Sequence, residues 1–381
     1  MGKLKVMTIF GTRPEAIKMA PLVKKLEADE DIESIVCVTA QHRQMLDQVL
    51  RIFKIIPNYD LNIMQEKQTL AHITSRVLTG LIDIINDAKP DIILVHGDTT
   101  TTFAGALAAF YSKVKIGHVE AGLRTYDKYS PFPEEMNRKL TGGLADIHFC
   151  PTKSNKENLL KENVPESAIY ITGNTVIDAL KTTVNDKYEF TTPALKEVNF
   201  KKKIILVTAH RIENLGEPLQ NICNAIKELA DKYKKDIEFV YPVHLNPAVS
   251  GTANTILGDI ENVHLIDPLN VQELHNLMNR SYFVMTDSGG LQEEAPALGK
   301  PVLVLRNETE RPEAVEAGTV KVAGTDTKTI VKLASELIED PKKYEKMNKA
   351  TNPYGDGKAS QRIIDAIKYY MGTIDTPPEE F

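Results

Sequence analysis

The feature that most narrows what this chain can become is an alternation of short β-rich apolar runs with longer amphipathic stretches, and it occurs twice. "LKVMTIF", "IESIVCVTA", "DIILVHGD", "VKIGHVEA" and "DIHFCPT" mark the first half, each followed by helix-like sequence. "KIILVTAH", "IEFVYPVH", "VHLID", "YFVMTD" and "PVLVL" mark the second, separated by helical segments such as 219–233 and 271–280. Strands that are apolar on both faces and joined by helices pair in parallel. The expected fold class is therefore α/β, with two Rossmann-like doubly wound domains facing a cleft. At 381 residues the chain has room for two such units, each with a sizeable core. Between the two series, "NDKYEFTTPALKEVNFKKK" (185–203) is polar, lysine-rich and aperiodic, which places the boundary in or just before it. The domains are expected at 1–175 and 176–359. The final helical segment, 359–371, can pack on either, and 360–381 is assigned to the first. "GTIDTPPEEF" behind it reads as a frayed tail.

Composition removes several classes of function. A formal charge of -6, with Lys and Arg interspersed among Asp and Glu, leaves no basic stripe to neutralise a phosphate backbone, so nucleic acid is not an expected partner. Cys37, Cys150 and Cys223 are scattered within apolar runs, which supports neither a disulfide framework nor a cysteine zinc site. No apolar run approaches the roughly 18 residues of a membrane span, and the start "MGKLKVMTIFGTRPE" lacks a signal-peptide core and cleavage site. The expected location is the cytoplasm, with no membrane partner.

In open parallel sheets ligands bind beyond the carboxyl ends of the strands, where helix N-termini present bare N–H groups. The polar motifs stand there in both halves. "FGTRPEAIKMAP" puts Gly11 at a tight turn, Pro14 in a first helical turn, and Arg13 and Lys18 near the helix N-terminus, an arrangement suited to an anion. A plain strand-to-helix turn with solvated cations is the bland alternative. "TDSGGLQEEAPALGKP" is the counterpart: Ser288 can cap a helix, Gly289 and Gly290 let backbone N–H groups approach a phosphate, and Glu294 is placed to accept hydrogen bonds from a ribose diol. Together the two motifs favour a nucleotide diphosphate over two ordinary capped helices. Neither is a GxGxxG fingerprint, and no nicotinamide cofactor is expected.

"GHVEAGLRTYDKYSPFPEEMNRK" sets Glu120, Glu134 and Glu135 beside Arg124 and Arg138. Glu120 ends an apolar strand, where a carboxylate must be paired, hydrogen-bonded or shifted in pKa. Helix-dipole preference explains one of Glu134 and Glu135, but not the cluster. Asp98, in "VHGDTTTT", stands at an expected N-cap, and capping alone accounts for that residue type. Acids gathered near a site with arginines as counter-charges suit general acid–base chemistry. His210 and His244 end strands of the second half, and a structural role is the ordinary one there. With no HExxH pair, a metal site is not expected.

These motifs, with "TAQHRQMLDQVL", "ITGNTVIDAL", "TAHRIENLGEP" and "TDSGGLQEEAPALGKPVLVLRNETERPEA", make the chain resemble the bacterial non-hydrolysing UDP-N-acetylglucosamine 2-epimerases from about residue 4 to 354. The resemblance implies a GT-B-like fold, a homodimer without cofactor, and reversible conversion of UDP-GlcNAc to UDP-ManNAc, supplying ManNAc for cell-envelope polysaccharide. It implies Asp98, Glu120, Glu134 and His210 as catalytic positions, without fixing which carboxylate takes the C2 proton and which returns it. It implies substrate binding by Arg13, Lys18, Ser288, Gly289, Gly290 and Glu294, with Arg138 and Arg311 neutralising charge nearby. It also implies activation by a second UDP-GlcNAc at Gln41, Gln44, Arg211 and His244; a fifth position, commonly arginine in relatives, is Lys67 here, which lacks a bidentate fork. A hydrolysing epimerase, a GT-B glycosyltransferase and a non-catalytic sugar-nucleotide sensor remain alternatives.

Overall fold

The computed structural model describes residues 2–41, 43–65 and 68–381. The chain divides into two compact units, Met1–Thr182 with Tyr354–Phe381, and Thr183–Pro353.

Unit 1 holds β1 (Leu4–Phe10), β2 (Ile32–Val38), β3 (Tyr59–Asp60), β4 (Ile92–His96), β5 (Lys115–Val119), β6 (Ile147–Cys150) and β7 (Ile169–Ile171). They form one sheet in the order β3-β2-β1-β4-β5-β6-β7, every pairing parallel. The alternation within β1 explains its burial on both sides. Val6 and Phe10 join a core with Met19 and Leu26 of helix Arg13–Ala28 and with Ile363 and Ile367 of helix Ala359–Tyr370. Met7 and Ile9 face the opposite core, filled by Ile73, Val77, Leu81 and Ile85, one stripe of helix Leu70–Ala88 at four-residue spacing.

The last helix therefore belongs to unit 1. Its first two backbone N–H groups, at Ala359 and Ser360, donate to the Asp178 carboxylate at 3.1 and 2.8 Å, so a residue distant in sequence caps it. This anchorage carries the unit boundary past residue 175: helix Thr175–Thr183 packs Ala179 into the same core, and Asn174 N–H donates to the Tyr354 carbonyl at 2.7 Å. The chain accordingly rejoins unit 1 at Tyr354, not at 360. The tail is not frayed at its end, contrary to the sequence reading. The Phe381 N–H donates to Ile171 O at 2.9 Å on edge strand β7, and the Phe381 ring lies 5.5 Å from the Arg362 guanidinium.

Unit 2 repeats the plan with β8 (Lys203–Thr208), β9 (Ile237–Pro242), β10 (Val263–Ile266), β11 (Phe283–Thr286), β12 (Val302–Val304) and β13 (Val320–Val322), parallel in the order β10-β9-β8-β11-β12-β13. Its core joins Ile205, Val207, Phe239 and Met285 to Leu219, Ile222, Ile226 and Leu229 of helix Glu217–Lys232. Both units are Rossmann-like, and in each the strand order reverses once, at β1/β4 and at β8/β11. Among the described residues no helix is long and apolar enough to cross a membrane.

Candidate active site

In unit 1 the reversal point lies between the loops after β1 and β4. Only glycine fits at position 11, because a Cβ there would lie 1.9 Å from Thr39 Oγ1 and 2.8 Å from Thr101 Oγ1. The helix beginning at Arg13 then closes a capping box through Glu15. Glu15 Oε2 accepts from Gly11 N (3.2 Å), Thr12 N (2.8 Å) and Thr12 Oγ1 (2.7 Å), while Oε1 accepts from Thr99 Oγ1 (2.8 Å) and Thr102 Oγ1 (3.3 Å). The chain's own carboxylate thus takes N–H groups that the sequence reading offered to an external anion. Burial pushes the Glu15 carboxyl up from its ordinary pKa, against the pull of these donors. Arg13, half-buried at the first helical position, remains the cation at this turn.

Asp98 follows β4 but does not cap the next helix. Thr99 does, its hydroxyl accepting from Thr102 N at 3.1 Å. The Asp98 carboxylate is released to meet Arg138, whose Nε and Nη2 lie 2.9 and 2.7 Å from Oδ2. Asn137 Nδ2 donates to the Asp98 carbonyl at 2.9 Å, so one turn of helix Glu134–Leu144 holds both ends of the residue. Arg138 Nη1 also donates to Glu135 Oε2 at 3.1 Å. Glu135 in turn accepts from the N–H groups of Thr125 and Tyr126 at 3.1 and 3.0 Å. It is a buried structural carboxylate that folds the loop back onto the helix. Glu134 is half-buried, makes no ion pair among the described residues, and lies four residues before Arg138 on the same helical face.

Glu120 follows β5 in a left-handed conformation, φ +61°, which turns the carboxylate toward β4. A methyl group added at Gly97 would lie 3.8 Å from Glu120 Oε1, so this acid stands beside the residue preceding Asp98. Lys18 Nζ donates to Glu120 Oε2 at 2.5 Å and Asn174 Nδ2 donates to the same oxygen at 2.8 Å. His96 Nε2 lies 3.7 Å from it. Burial lowers the His96 pKa to about 4, with Lys18 adding to the effect and Glu120 opposing it, so the ring is neutral at physiological pH. Arg124 is not a counter-charge for this group. Its Nε and Nη2 bind Glu162 at 2.9 and 2.7 Å, a fork-to-fork pair that a single-sequence reading has no means to foresee.

In unit 2 the reversal point gathers the loops after β8 and β11. Asp287, fully buried, accepts at Oδ2 from His210 N (2.8 Å), Arg211 N (2.8 Å) and Asn214 Nδ2 (3.0 Å). It thereby ties the two loops together, and its Oδ1 lies 3.6 Å from His210 Nδ1. The His210 and His244 rings stack at 5.5 Å and 8°. Ser288 takes the N-cap position of helix Gly289–Ala297 without a side-chain bond to it. Beyond it, a methyl group at Gly289 would lie 3.8 Å from Arg311 Nη2 and 3.9 Å from Arg211 Nη2: two guanidinium groups converge on bare backbone at a helix N-terminus. Glu293 holds Arg311 through its Nε. Glu294 folds over Gly290, with Oε1 3.2 Å from where a Cβ would sit, and its Oε2 meets His275 Nε2 at 3.1 Å.

Of the remaining predicted positions, Gln41 Oε1 accepts from Thr101 Oγ1 at 3.1 Å and Gln44 is exposed, while Lys67 lies outside the described residues. Sequence reasoning passed over Glu15, His96, Asp287 and His275. Each lies within or beside a quoted motif or helix, but its role depends on partners that only the fold supplies. Among the described residues no group of three or more His, Cys, Asp or Glu could hold a metal ion.

A family model described as UDP-N-acetylglucosamine 2-epimerase matches residues 24–368. The chain is 59% identical over 381 residues to the UDP-N-acetylglucosamine 2-epimerase of Bacillus subtilis, covering 100% of this chain and 99% of that one. The crystal structure of the Neisseria meningitidis UDP-GlcNAc 2-epimerase bound to UDP-GlcNAc is similar at 53% identity and a TM-score of 0.87, covering 96% and 99% of the two chains. At 11% identity and a TM-score of 0.64, over 97% and 99% of the chains, a structure of the glycotransferase of kitacinnamycin shares the fold alone. With a family match over most of its length and a relative this similar end to end, the chain belongs to the UDP-N-acetylglucosamine 2-epimerase family.

Proposed function

We propose that this protein is a non-hydrolysing UDP-N-acetylglucosamine 2-epimerase that interconverts UDP-GlcNAc and UDP-ManNAc by eliminating and re-adding UDP. The C2 proton of the sugar has no adjacent carbonyl to acidify it. As the C1–O bond breaks and its electron pair leaves with UDP, C1 gains cationic character and the C2 proton becomes removable. Its loss forms the C1=C2 double bond of 2-acetamidoglucal. Protonation of C2 from the opposite face and attack of the UDP oxygen on C1 complete the inversion, so acid–base groups are needed on both faces.

The observation that supports this most is the pair of separately held acids at adjacent strand ends: Asp98 after β4 with Arg138, and Glu120 after β5 with Lys18. Each carboxylate is held by its own cation, so two acid–base groups stand separately, as removal and return of the C2 proton on opposite faces require. Glu134 and His210 complete the catalytic set in this reading. Arg13, Ser288, Gly289, Gly290 and Arg311 take the diphosphate, on which negative charge builds as C1–O breaks, and Glu294 takes the ribose. Lys18 and Arg138 serve twice, as counter-charges of the acids and near the phosphates. The protein acts as a homodimer in the cytoplasm and provides ManNAc for envelope polysaccharide. A second UDP-GlcNAc activates it through Gln41, Gln44, Lys67, Arg211 and His244. Because lysine replaces a bidentate arginine at 67, Lys67→Arg lowers the activation constant in this account; an unchanged constant removes that part of it. C1–O cleavage is tested with UDP-GlcNAc carrying 18O in the sugar–phosphate bridge. Elimination and re-addition spread the label over the β-phosphate oxygens, read as 31P shifts, while a label that stays in the bridge during turnover contradicts the reading.

A further inference from the structure

Helix Val271–Arg280 buries Glu273, His275 and Asn276 almost completely. Two of these are spent on the segment by which the chain enters unit 2. Glu273 Oε1 accepts from the N–H groups of Thr191 and Thr192 at 2.7 and 2.9 Å, and Asn276 bonds the Thr183 carbonyl and the Asn185 N–H, each at 2.8 Å. His275 does something different. Its Nδ1 meets Thr183 Oγ1 at 2.7 Å and its Nε2 meets Glu294 Oε2 at 3.1 Å. A carboxylate oxygen accepts, so Nε2 donates to Glu294 while Nδ1 and the Thr183 hydroxyl share the other hydrogen bond. The ring is held from one side and holds the carboxylate on the other.

We propose that His275 is a positioning residue for nucleotide recognition: it binds one oxygen of Glu294 and leaves the other, over Gly290, aimed at the ribose diol. The inference rests on the reading that Glu294 holds the ribose. Glu294 has three rotatable bonds, and a carboxylate that must wait for its ligand loses affinity to its own freedom. One hydrogen bond at Oε2 removes most of that freedom and leaves lone pairs for two ribose hydroxyls. Thr183, the first residue of unit 2, places the ring in turn.

The test is calorimetric titration of the full-length protein with UDP and with 2′,3′-dideoxy-UDP, which has the same diphosphate and base but no diol. The wild type prefers UDP. His275→Leu is expected to erase about tenfold of that preference, the worth of one charge-assisted hydrogen bond, while binding of the dideoxy ligand changes by less than about twofold. His275→Gln, with an amide nitrogen able to reach Glu294, keeps part of the preference, and Thr183→Val loses part of it. Equal weakening of both ligands by His275→Leu would mean that the residue only stabilises the fold, and would overturn the proposal. If His275→Leu does not fold, a full wild-type preference in both His275→Gln and Thr183→Val overturns it. Glu294→Ala separates the two layers. If it collapses the preference and the His275 variants do not, the positioning role fails and the ribose reading stands; if Glu294→Ala retains the preference, the ribose reading itself fails.

Discussion

Glu15 offers the sharpest quantitative test of how the turn after β1 is built. Replacing it with alanine strands the buried N–H groups of Gly11 and Thr12, which have no way to turn elsewhere, whereas the hydroxyls of Thr12, Thr99 and Thr102 rotate to other partners. Two unpaired buried donors cost roughly 1–3 kcal/mol each and the one lost methylene about 0.8 kcal/mol, so Glu15→Ala is expected to destabilise unit 1 by about 5 kcal/mol. Glu15→Gln differs in kind. Its carbonyl can serve the two backbone donors and its amide can donate to the Thr99 and Thr102 hydroxyls, which lowers the cost to about 1 kcal/mol. The pH dependence has a definite sign. Because burial raises the folded pKa, the contribution of Glu15 is fully present below its unfolded value near 4.5 and declines as pH rises through the folded value. The alanine penalty is therefore larger at pH 4.5 than at pH 8. Differential scanning calorimetry reads this as a fall in Tm of about 10–20 °C for alanine and less than about 5 °C for glutamine. Equal and small shifts for both variants, or a penalty that grows with pH, would refute the reasoning.

Three further outcomes follow from the same geometry. The nearest groups that Gly289→Ala meets are the Arg311 and Arg211 guanidiniums, at ordinary contact distances of 3.8 and 3.9 Å, so Tm is expected to change little while UDP affinity falls at least tenfold; affinity unchanged in titration calorimetry removes the phosphate from this helix end. Lys18→Met removes the cation held against Glu120 and is expected to lower kcat/KM by about 100-fold or more, with Lys18→Arg recovering part of it; a loss confined to KM assigns Lys18 to binding alone. His96, His118 and His148 are buried in unit 1 with pKa values lowered by burial to about 4, 3 and 4. Their stabilisation is present above pH 6.5 and is lost as pH falls toward 4, so Tm drops in that window, and a flat profile down to pH 4 contradicts the assignment.

What could be read in advance followed from local pattern. Strands of four or more apolar residues announced themselves, and the polar motifs behind them marked the ligand ends of both sheets. β3, β7 and β13 escaped because two or three residues such as Tyr59–Asp60 carry no period; their pairing comes from neighbouring strands. The choice of partner escaped for a related reason. Asp98 and Thr99 are both good caps, and only the arrival of Arg138, 40 residues later, decides that Thr99 caps and Asp98 pairs. Glu120 as a stressed strand-end acid was legible, but Lys18, 102 residues away, as its cation was not. Arg124 shows the opposite case, a nearby charge taken by Glu162 at the C-cap of helix Lys153–Lys161. Asp287 stood next to Ser288 in a motif read for its serine and glycines, yet its carboxylate is what ties that loop to His210 and Arg211.

The central claim is epimerisation through the C2 proton with UDP retained. Incubating the purified protein with UDP-GlcNAc in deuterated water, followed by proton and phosphorus NMR, tests it directly. The account predicts UDP-ManNAc carrying deuterium at C2 with the diphosphate still attached. Free UDP accumulating with ManNAc, or bound UDP-GlcNAc that never exchanges its C2 proton, would contradict it.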